Sequence, residues 1–418
     1  MLSAVSDVSR LDSTQYRFLG TIYHNANQAN VMTEVFLRPK LAREMARQLL
    51  KPFALDLGLR SGLFLFGLRR TGKTTFLIND LIPALKEGGA LVIYVDLWTA
   101  PQSSPAELIH AAIRKVLSEL QAPSPSTLQK RKALRGAEIE AAGSKFDLNL
   151  ETLGVAGGIT LAEVLTEVVD QTKADVVLIV DEVQHAITTD DGQQLMLALK
   201  AARDAINSRP RTPGYFLFIG AGSHRAAIRE MTTGGNQAFA GATNVPYPVL
   251  GSDYVEFWLA RLQREGHGNL PTLKVAEEAF KTLGNRPEEL IRAFVQLIHS
   301  PPMGSGPDEV LPGIAVTLRS AAADVELMKV EEMGGLALAI FARIASAEGN
   351  AQGVFSTEAA AEYSKVVGRE VRVEEIRSVA NELLAANLIM RRGQGVYGVA
   401  DPFVQEIWRE RQERPSKL

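Results

Sequence analysis

Residues 67–74 read Gly-Leu-Arg-Arg-Thr-Gly-Lys-Thr, which matches the phosphate-loop pattern G-x-x-x-x-G-K-[ST] at every fixed position. The apolar run at 63–66 predicts a buried strand before the loop, and the apolar spacing at 75–82 predicts a helix after it. This strand–loop–helix order is the context in which such a loop binds phosphate. The pattern therefore predicts a parallel α/β sheet that carries a nucleotide site.

The fixed positions of the loop have separate chemical roles. Gly67 and Gly72 let the backbone turn tightly, so that successive N–H groups can point at phosphate oxygens. Lys73 is predicted to reach the β- and γ-phosphates, and the hydroxyl of Thr74 is predicted to bind Mg²⁺. The predicted nucleotide-binding residues at the loop are Gly67, Arg70, Thr71, Gly72, Lys73, Thr74 and Thr75.

A second apolar strand, at 176–180, ends in the carboxylates Asp181 and Glu182. The last residues of a strand in an open α/β sheet face the crevice where ligands bind. We expect Asp181 to hold Mg²⁺ and Glu182 to orient and deprotonate the attacking water. An acidic helix cap after an ordinary strand is the alternative, but the phosphate loop upstream favours the catalytic interpretation, and Glu182 favours hydrolysis.

Two more positions are candidates for contact with the γ-phosphate region. Ser223 follows an apolar strand at 215–219 and is predicted to position the water, a role that His224 could share; a helix cap at Ser223 is compatible with it. Arg286 precedes Pro287, which suits a first helical turn. Arg286 is predicted to swing over the phosphates, and a solvated arginine at a helix start is the alternative.

Composition narrows the class of protein. Of the 418 residues, 46% are hydrophobic and 22% charged, as in an ordinary globular protein, and the net charge of −3 gives no overall attraction to nucleic acid. The chain has no cysteine, which excludes disulfides and thiolate metal sites. His185 lacks ligand spacing and is interpreted as an ordinary surface or core histidine. Without a signal peptide or a long apolar segment, we expect a cytoplasmic protein that does not contact a membrane.

The order of predicted elements suggests several domains. Short strands alternate with helices up to about residue 250, helices follow, and a segment rich in proline and glycine at 300–307 predicts a linker. Three helices and a hairpin then give the order of a winged helix. The predicted strands of the core are 62–66, 90–95, 175–180, 215–220 and 244–249, with a further hairpin strand at 145–151. The predicted domains are a lead-in helix region at 1–55, an ATPase core at 56–250, a helical lid at 251–300, a linker and connecting helix at 301–329 and a winged-helix domain at 330–418.

A guanine nucleotide is the main rival to adenine. Residues 172–175, Thr-Lys-Ala-Asp, match the guanine-reading pattern [NT]-K-x-D by letter. They precede the acidic strand, however, and no D-x-x-G follows Asp181. We interpret the match as a coincidence and favour adenine.

The loop at 67–74, the Asp-Glu-Val-Gln run at 181–184 and the turn at 220–223 together resemble those of AAA+-like archaeal and STAND-type ATPases, relatives of the origin-recognition initiators. The resemblance spans roughly residues 30–410. It implies an additional-strand P-loop NTPase sheet with a helical lid and a C-terminal winged helix. It also implies an ATP- and Mg²⁺-dependent switch, often a homo-oligomer, whose winged helix contacts DNA or a protein partner.

Two departures from the resemblance bear on function. Relatives often carry an arginine before the last core strand that acts on a neighbour's ATP, but residues 239–243 contain none, and only Arg225 and Arg229 lie nearby. Residues 330–418 hold 11 lysines and arginines against 13 aspartates and glutamates, a net charge of −2, which is unfavourable for independent DNA binding. A basic edge remains at Arg391 and Arg392, with Lys365, Arg369 and Arg372. A basic cluster at 130–135 is a nucleic-acid contact or a solvated loop.

Three functions stay open at this point. The first is an ATP hydrolase used as a conformational switch, with slow hydrolysis allowed for. The second is an ATP-regulated DNA-binding protein in replication, transposition or transcription. The third is a signalling or defence adaptor with little turnover, against which the intact Glu182 argues.

Overall fold

The computed structural model describes residues 34–53, 56–100, 103–121, 153–154, 157–187, 189–223, 225–233, 237–299, 304–348, 350–393 and 395–413. The chain divides into two units, Met1–Leu37 and Arg38–Leu418. In the first unit, the described residues 34–37 form neither helix nor strand. All elements below belong to the second unit. The predicted hairpin strand at 145–151 and the basic cluster at 130–135 lie outside the described residues.

The second unit is built on a five-stranded sheet in the order β2-β3-β4-β1-β5. All neighbouring strands in it are parallel. This order places β4 between the strand before the phosphate loop, β1, and the acidic strand, β3, as the additional-strand prediction requires. The strands are β1 Leu63–Phe66, β2 Leu91–Asp96, β3 Val176–Asp181, β4 Phe216–Gly222 and β5 Thr243–Pro246.

Helices cover both faces of the sheet, which explains why β3 is apolar at each position before Asp181 and why β4 is buried along its whole length. Side chains alternate between the faces along β3: Val177 and Ile179 pack into one apolar cluster, whereas Val176, Leu178 and Val180 pack into the other. The helices of this layer are α1 Pro39–Leu50, α2 Leu57–Ser61, α3 (Lys73–Phe76, a π-helical stretch Leu77–Leu81, and Ile82–Glu87), α4 Pro105–Gln121, α5 Leu161–Thr172, α6 Asp190–Asn207 and α7 Arg225–Thr233.

Four helices follow the sheet. They are α8 Ser252–Arg264, α9 Leu273–Thr282, α10 Pro287–His299 and α11 Pro307–Glu332. Proline begins both α10 and α11, where its missing N–H costs no helical hydrogen bond. The long α11 packs against α9 and α10 on one side and against the C-terminal elements on the other.

The C-terminal elements pack around a separate apolar core that includes Phe341, Ile376 and Tyr397. Three helices and a hairpin follow one another here, in the predicted order. Ser356 caps one of the helices by accepting a hydrogen bond from the N–H of Ala359, 3.1 Å. The elements are α12 Gly335–Ser346, β6 Ala351–Gln352, α13 Thr357–Val367, α14 Val373–Ala385, β7 Ile389–Gly393, β8 Val396–Val399 and α15 Pro402–Glu413. The strands β6, β8 and β7 form a small antiparallel sheet. The name winged helix stays a prediction.

The five predicted core strands are all present, each with its start displaced by one residue. Only β5 ends clearly earlier than predicted, at Pro246, because the chain leaves the sheet there toward α8. Among the described residues, no helix is both long enough and apolar enough to cross a membrane.

Candidate nucleotide-binding site

The phosphate loop joins β1 to α3 at the carboxyl edge of the sheet. Gly72 has φ +89°, a left-handed conformation that glycine adopts without steric cost, and Arg70 has φ +61°. Gly67 lies close to Tyr247, because a Cβ at position 67 would be 3.2 Å from the Tyr247 Cβ. The two fixed glycines of the pattern are therefore required by backbone conformation at Gly72 and by close packing at Gly67.

Lys73 is folded back over the loop and buried. Its Nζ donates hydrogen bonds to the carbonyls of Gly67, 2.8 Å, and Leu68, 2.6 Å. Burial lowers the pKa of Lys73 to about 8, although the negative charges of Glu182 and Asp181 act in the opposite direction. The ammonium group is thus held at the loop by backbone oxygens and nearby carboxylates.

Thr74 and Asp181 lie side by side, although 107 positions separate them in sequence. The Thr74 hydroxyl donates to Asp181 Oδ2 at 2.6 Å, and the Tyr94 hydroxyl lies 3.4 Å from the same oxygen. Asp181 is 1% exposed, and this burial raises the pKa of its carboxyl group. A hydroxyl beside a buried carboxylate is a pair of hard oxygen ligands, which fits Mg²⁺. Sequence reasoning missed Tyr94.

Glu182 follows in a left-handed conformation, φ +53°. Its N–H donates to Asp181 Oδ1 at 3.0 Å, and Gln184 Nε2 donates a hydrogen bond to its carboxylate. Gln184 is 4% exposed, and a Cβ at Gly222 would lie only 2.1 Å from its Oε1. Gln184 therefore orients Glu182, and the position at 222 leaves room for it. The sequence pattern contained Gln184 but gave it no role.

Ser223 directly follows β4, between the loop strand and the acidic strand. It is 8% exposed, and its hydroxyl has no hydrogen-bond partner among the described residues. A buried hydroxyl without a partner costs free energy unless a water or ligand satisfies it. This supports a polar contact of Ser223 with a ligand. His224 lies outside the described residues.

The remaining loop residues differ in how they are used. Thr71 is 1% exposed, and its hydroxyl donates to the Leu68 carbonyl at 2.8 Å, so its side chain closes the loop's own turn. Arg70 and Thr75 are exposed. The guanidinium of Arg69 lies over the ring of Trp98, 5.3 Å from its centroid. These positions leave Arg70 and Thr75 as predictions for contact with nucleotide.

Arg286 precedes α10 beside the loop. A Cβ at Gly72 would lie 3.9 Å from Pro287 Cγ, so the start of α10 is in contact range of the loop. Arg286 is 4% exposed and forms an ion pair with Asp401, while its guanidinium lies 4.5 Å from the centroid of the Phe403 ring. Its contact with phosphates stays a prediction, because in this conformation the guanidinium is bound to the C-terminal elements.

A polar network that the sequence did not reveal connects the loop to the end of β5. The Tyr247 hydroxyl donates to the Gly72 carbonyl at 3.2 Å, and Arg38 Nη1 donates to the same hydroxyl at 3.3 Å. The backbone N–H of Arg38 donates to Asp80 in α3, 2.6 Å. These side chains fix the loop against the segment that leads into α8.

The other residues considered in the sequence have contacts of different kinds. His185 packs against the edge of the Trp98 ring, 4.7 Å between ring centroids, and burial lowers its pKa. Asp175, of the guanine-like pattern, accepts from the N–H of Tyr215 at the opposite edge of the sheet. Arg229 is exposed on α7, and the side chain of Arg225 is outside the described residues. The pattern at 172–175 is therefore not placed to read a base at the loop.

Together, the strand order, the loop and the acidic end of β3 define the fold of an AAA+-type P-loop NTPase, with helical C-terminal elements. A scan against protein-family models finds no match, and a search of curated proteins finds none either. Solved structures do match. The Aeropyrum pernix ORC2 protein in its ADP form has a TM-score of 0.51 and 14% identity over 93% of this chain and 97% of that chain.

Two further structures have lower scores. The ADPNP–ADP complexes of the same ORC2 protein give a TM-score of 0.47 and 13% identity, over 93% of this chain and 98% of that chain. The Aeropyrum pernix ORC1 protein in complex with DNA gives 0.43 and 14%, over 92% of this chain and 95% of that chain. At these identities the similarity to the ORC2 protein in its ADP form shows the fold alone.

Proposed function

We propose that the chain binds ATP with Mg²⁺ at the loop, hydrolyses it, and uses the nucleotide state as a conformational switch. The observation that carries the proposal is the pairing of Thr74 with Asp181, with Lys73 and Glu182 beside them, at the carboxyl edge of the sheet. The fold is shared with a protein solved in its ADP form, which supports an adenine nucleotide.

Each residue of the site has a separate role in the proposed hydrolysis. Lys73 neutralises phosphate charge, and the backbone of the loop binds phosphate oxygens. Thr74 and Asp181 would hold Mg²⁺, and the ion would neutralise the charge that develops on the phosphate oxygens. Among the described residues, no cluster of three or more acidic, histidine or cysteine side chains could hold a metal by itself, and Mg²⁺ would therefore need oxygen ligands from the nucleotide as well.

Glu182 acts as the general base in this proposal. Gln184 holds its carboxylate, which accepts a proton from water as the water oxygen bonds to the γ-phosphorus and the bond to ADP breaks. The Ser223 hydroxyl, buried and without a partner among the described residues, positions that water. The catalytic residues proposed are thus Lys73, Glu182 and Ser223.

The domain boundaries and partners predicted from the sequence enter the proposal unchanged. The helices at 251–300 close over the nucleotide, and the elements at 330–418 transmit the state to DNA or a protein partner. The exposed glutamates Glu374 and Glu382 on α14, and the ion pair of Arg369 with Glu375, favour a protein over a nucleic-acid backbone at that helix.

Binding of ATP by matched lysine variants tests the proposal. Calorimetric titration with Mg·ATP should give saturable binding by the wild type and by Lys200→Ala, which removes a solvent-exposed lysine of α6 that pairs with Asp204. Lys73→Ala should lose affinity by at least about 1.4 kcal/mol, which is tenfold. Equal affinity of Lys73→Ala and Lys200→Ala, or no binding by the wild type, would contradict it.

A further inference from the structure

Asp401 lies where the C-terminal elements meet the phosphate-loop edge of the core. It directly precedes α15. Its carboxylate forms an ion pair with Arg286, a residue that is only 4% exposed. Strand β7 of the same C-terminal sheet lies against α7, the helix that follows Ser223. The C-terminal elements therefore contact the core on the side from which a γ-phosphate would be read.

A small cavity brings the loop and Asp401 together. Its volume is about 30 Å³, and its lining includes Arg69 of the loop, Glu326 of α11, Asn387 and Asp401. Asp401 therefore faces a cavity that a loop residue also lines, and its carboxylate is paired there with Arg286.

Two anions could pair with Arg286: the carboxylate of Asp401 and, in the proposed function, a phosphate of the nucleotide at the loop. A guanidinium binds carboxylate and phosphate with the same fork of N–H donors. The start of α10 is already beside the loop, because Pro287 is in contact range of Gly72. The guanidinium cannot satisfy Asp401 and a nucleotide phosphate with the same donors, so the two anions compete.

We propose that Asp401 is a positioning residue for Arg286, which holds the arginine away from the nucleotide until the γ-phosphate of ATP displaces it. The inference rests on the proposed function. Binding of ATP then breaks the Arg286–Asp401 pair and weakens the docking of α15. By linkage, undocking of α15 strengthens ATP binding by the same factor.

The surroundings of Phe403 show how α15 can lose the Arg286–Asp401 ion pair and keep other contacts. Arg286 and Arg319 both lie near this ring, at 4.5 and 5.4 Å from its centroid. Arg319 also pairs with Glu406 and Glu410, so α15 keeps other contacts with α11 when Arg286 leaves. A released Asp401 is also able to reach water, since its side chain is 27% exposed.

A double-mutant cycle on ATP affinity tests the proposal. Asp401→Asn keeps the size of the side chain and removes its charge. The variant protein should therefore bind Mg·ATP about tenfold more tightly than the wild type, which lies within the usual range of coupling free energies between two sites. In an Arg286→Ala background the same change should alter the affinity by less than about twofold. Glu406→Gln is the matched control, because it removes one ion pair of α15 while Glu410 still pairs with Arg319 of α11. Since α15 stays docked and the Arg286–Asp401 pair is untouched, this variant should leave the affinity unchanged.

The outcomes separate this inference from the proposed function. Lys73-dependent ATP binding with no gain in Asp401→Asn, or a gain that persists without Arg286, overturns the role of Asp401 and leaves the proposed function standing. Absence of Lys73-dependent binding in the wild type overturns both.

A second measurement needs no variant. Hydrogen exchange of the amides in α15 should rise when Mg·ATP saturates the wild-type protein. Unchanged protection of α15 under saturation would also overturn the inference.

Discussion

Two groups of buried charge lie beside the phosphate loop, and they are held in different ways. Asp181 is held by Thr74 and Tyr94, which all belong to the sheet and the helix after the loop. Arg286 is held by Asp401, which belongs to the last elements of the chain. The first group, called the fixed group, also includes Lys73, Glu182 and Gln184. It is held within one continuous core, whereas the second group depends on contact between separately packed elements. We therefore propose that the first group carries out catalysis and that the second changes its contacts with the nucleotide state.

The largest expected effect comes from removing charge within the fixed group. Asp181→Asn should reduce Mg²⁺-dependent ATP turnover by about 100-fold, about 2.7 kcal/mol, because a neutral amide cannot replace a carboxylate ligand to Mg²⁺. Turnover assays over a range of Mg²⁺ concentrations measure it. The control is Asp96→Asn, because Asp96 of β2 is the residue that pairs in register with Asp181 of β3. Similar turnover in both variants would place the metal elsewhere.

The second-largest expected effect is a loss of stability when a methyl group is added beside Gln184. Gly222→Ala places a methyl group against Gln184 Oε1 and should lower the free energy of unfolding by about 2 kcal/mol. Gly268→Ala, at a position where a Cβ meets nothing within 4 Å, should change it far less. Denaturant unfolding of both variants measures the difference. An unfolding midpoint that Gly222→Ala leaves in place would show that Gln184 is not held as described.

A titration of the fixed group should give a smaller effect. The pKa of Lys73 is lowered to about 8, so the ammonium that binds phosphate is lost from the free protein as pH rises through that value. Affinity for Mg·ATP should therefore fall about tenfold between pH 7 and pH 9, with proton uptake on binding above pH 8. Calorimetry in buffers of different ionisation enthalpy measures both. Lys73→Arg, which stays protonated, should show a flat profile, and a wild type as flat as this variant would contradict the argument.

The same comparison explains what the sequence could predict. The strand, loop and helix at 63–87 are contiguous in sequence, and β3 and β4 are apolar runs that end in polar residues. Their bounds along the chain could therefore be predicted from periodicity. Asp401 was not, because nothing local distinguishes it from a capping aspartate. Its role depends on packing between elements 115 positions apart.

Other residues of the site were missed for the same physical reason. Tyr94 and Tyr247 are aromatic residues at or after strands, and their hydroxyls acquire a function only through partners on other elements. The role of Arg286 was predicted from its helix start, but its actual partner could not be. Sequence patterns fix which local element carries a group, whereas tertiary contacts decide which group it meets.

The central claim is that the fixed group hydrolyses ATP with Glu182 as the base. The most direct measurement is the rate of phosphate release from saturating Mg·ATP by the wild type and by Glu182→Gln, with ATP affinity measured on the same preparations. The account predicts turnover reduced by about 100-fold or more in the variant, with affinity retained. Equal turnover in the two proteins, at equal occupancy, would contradict it.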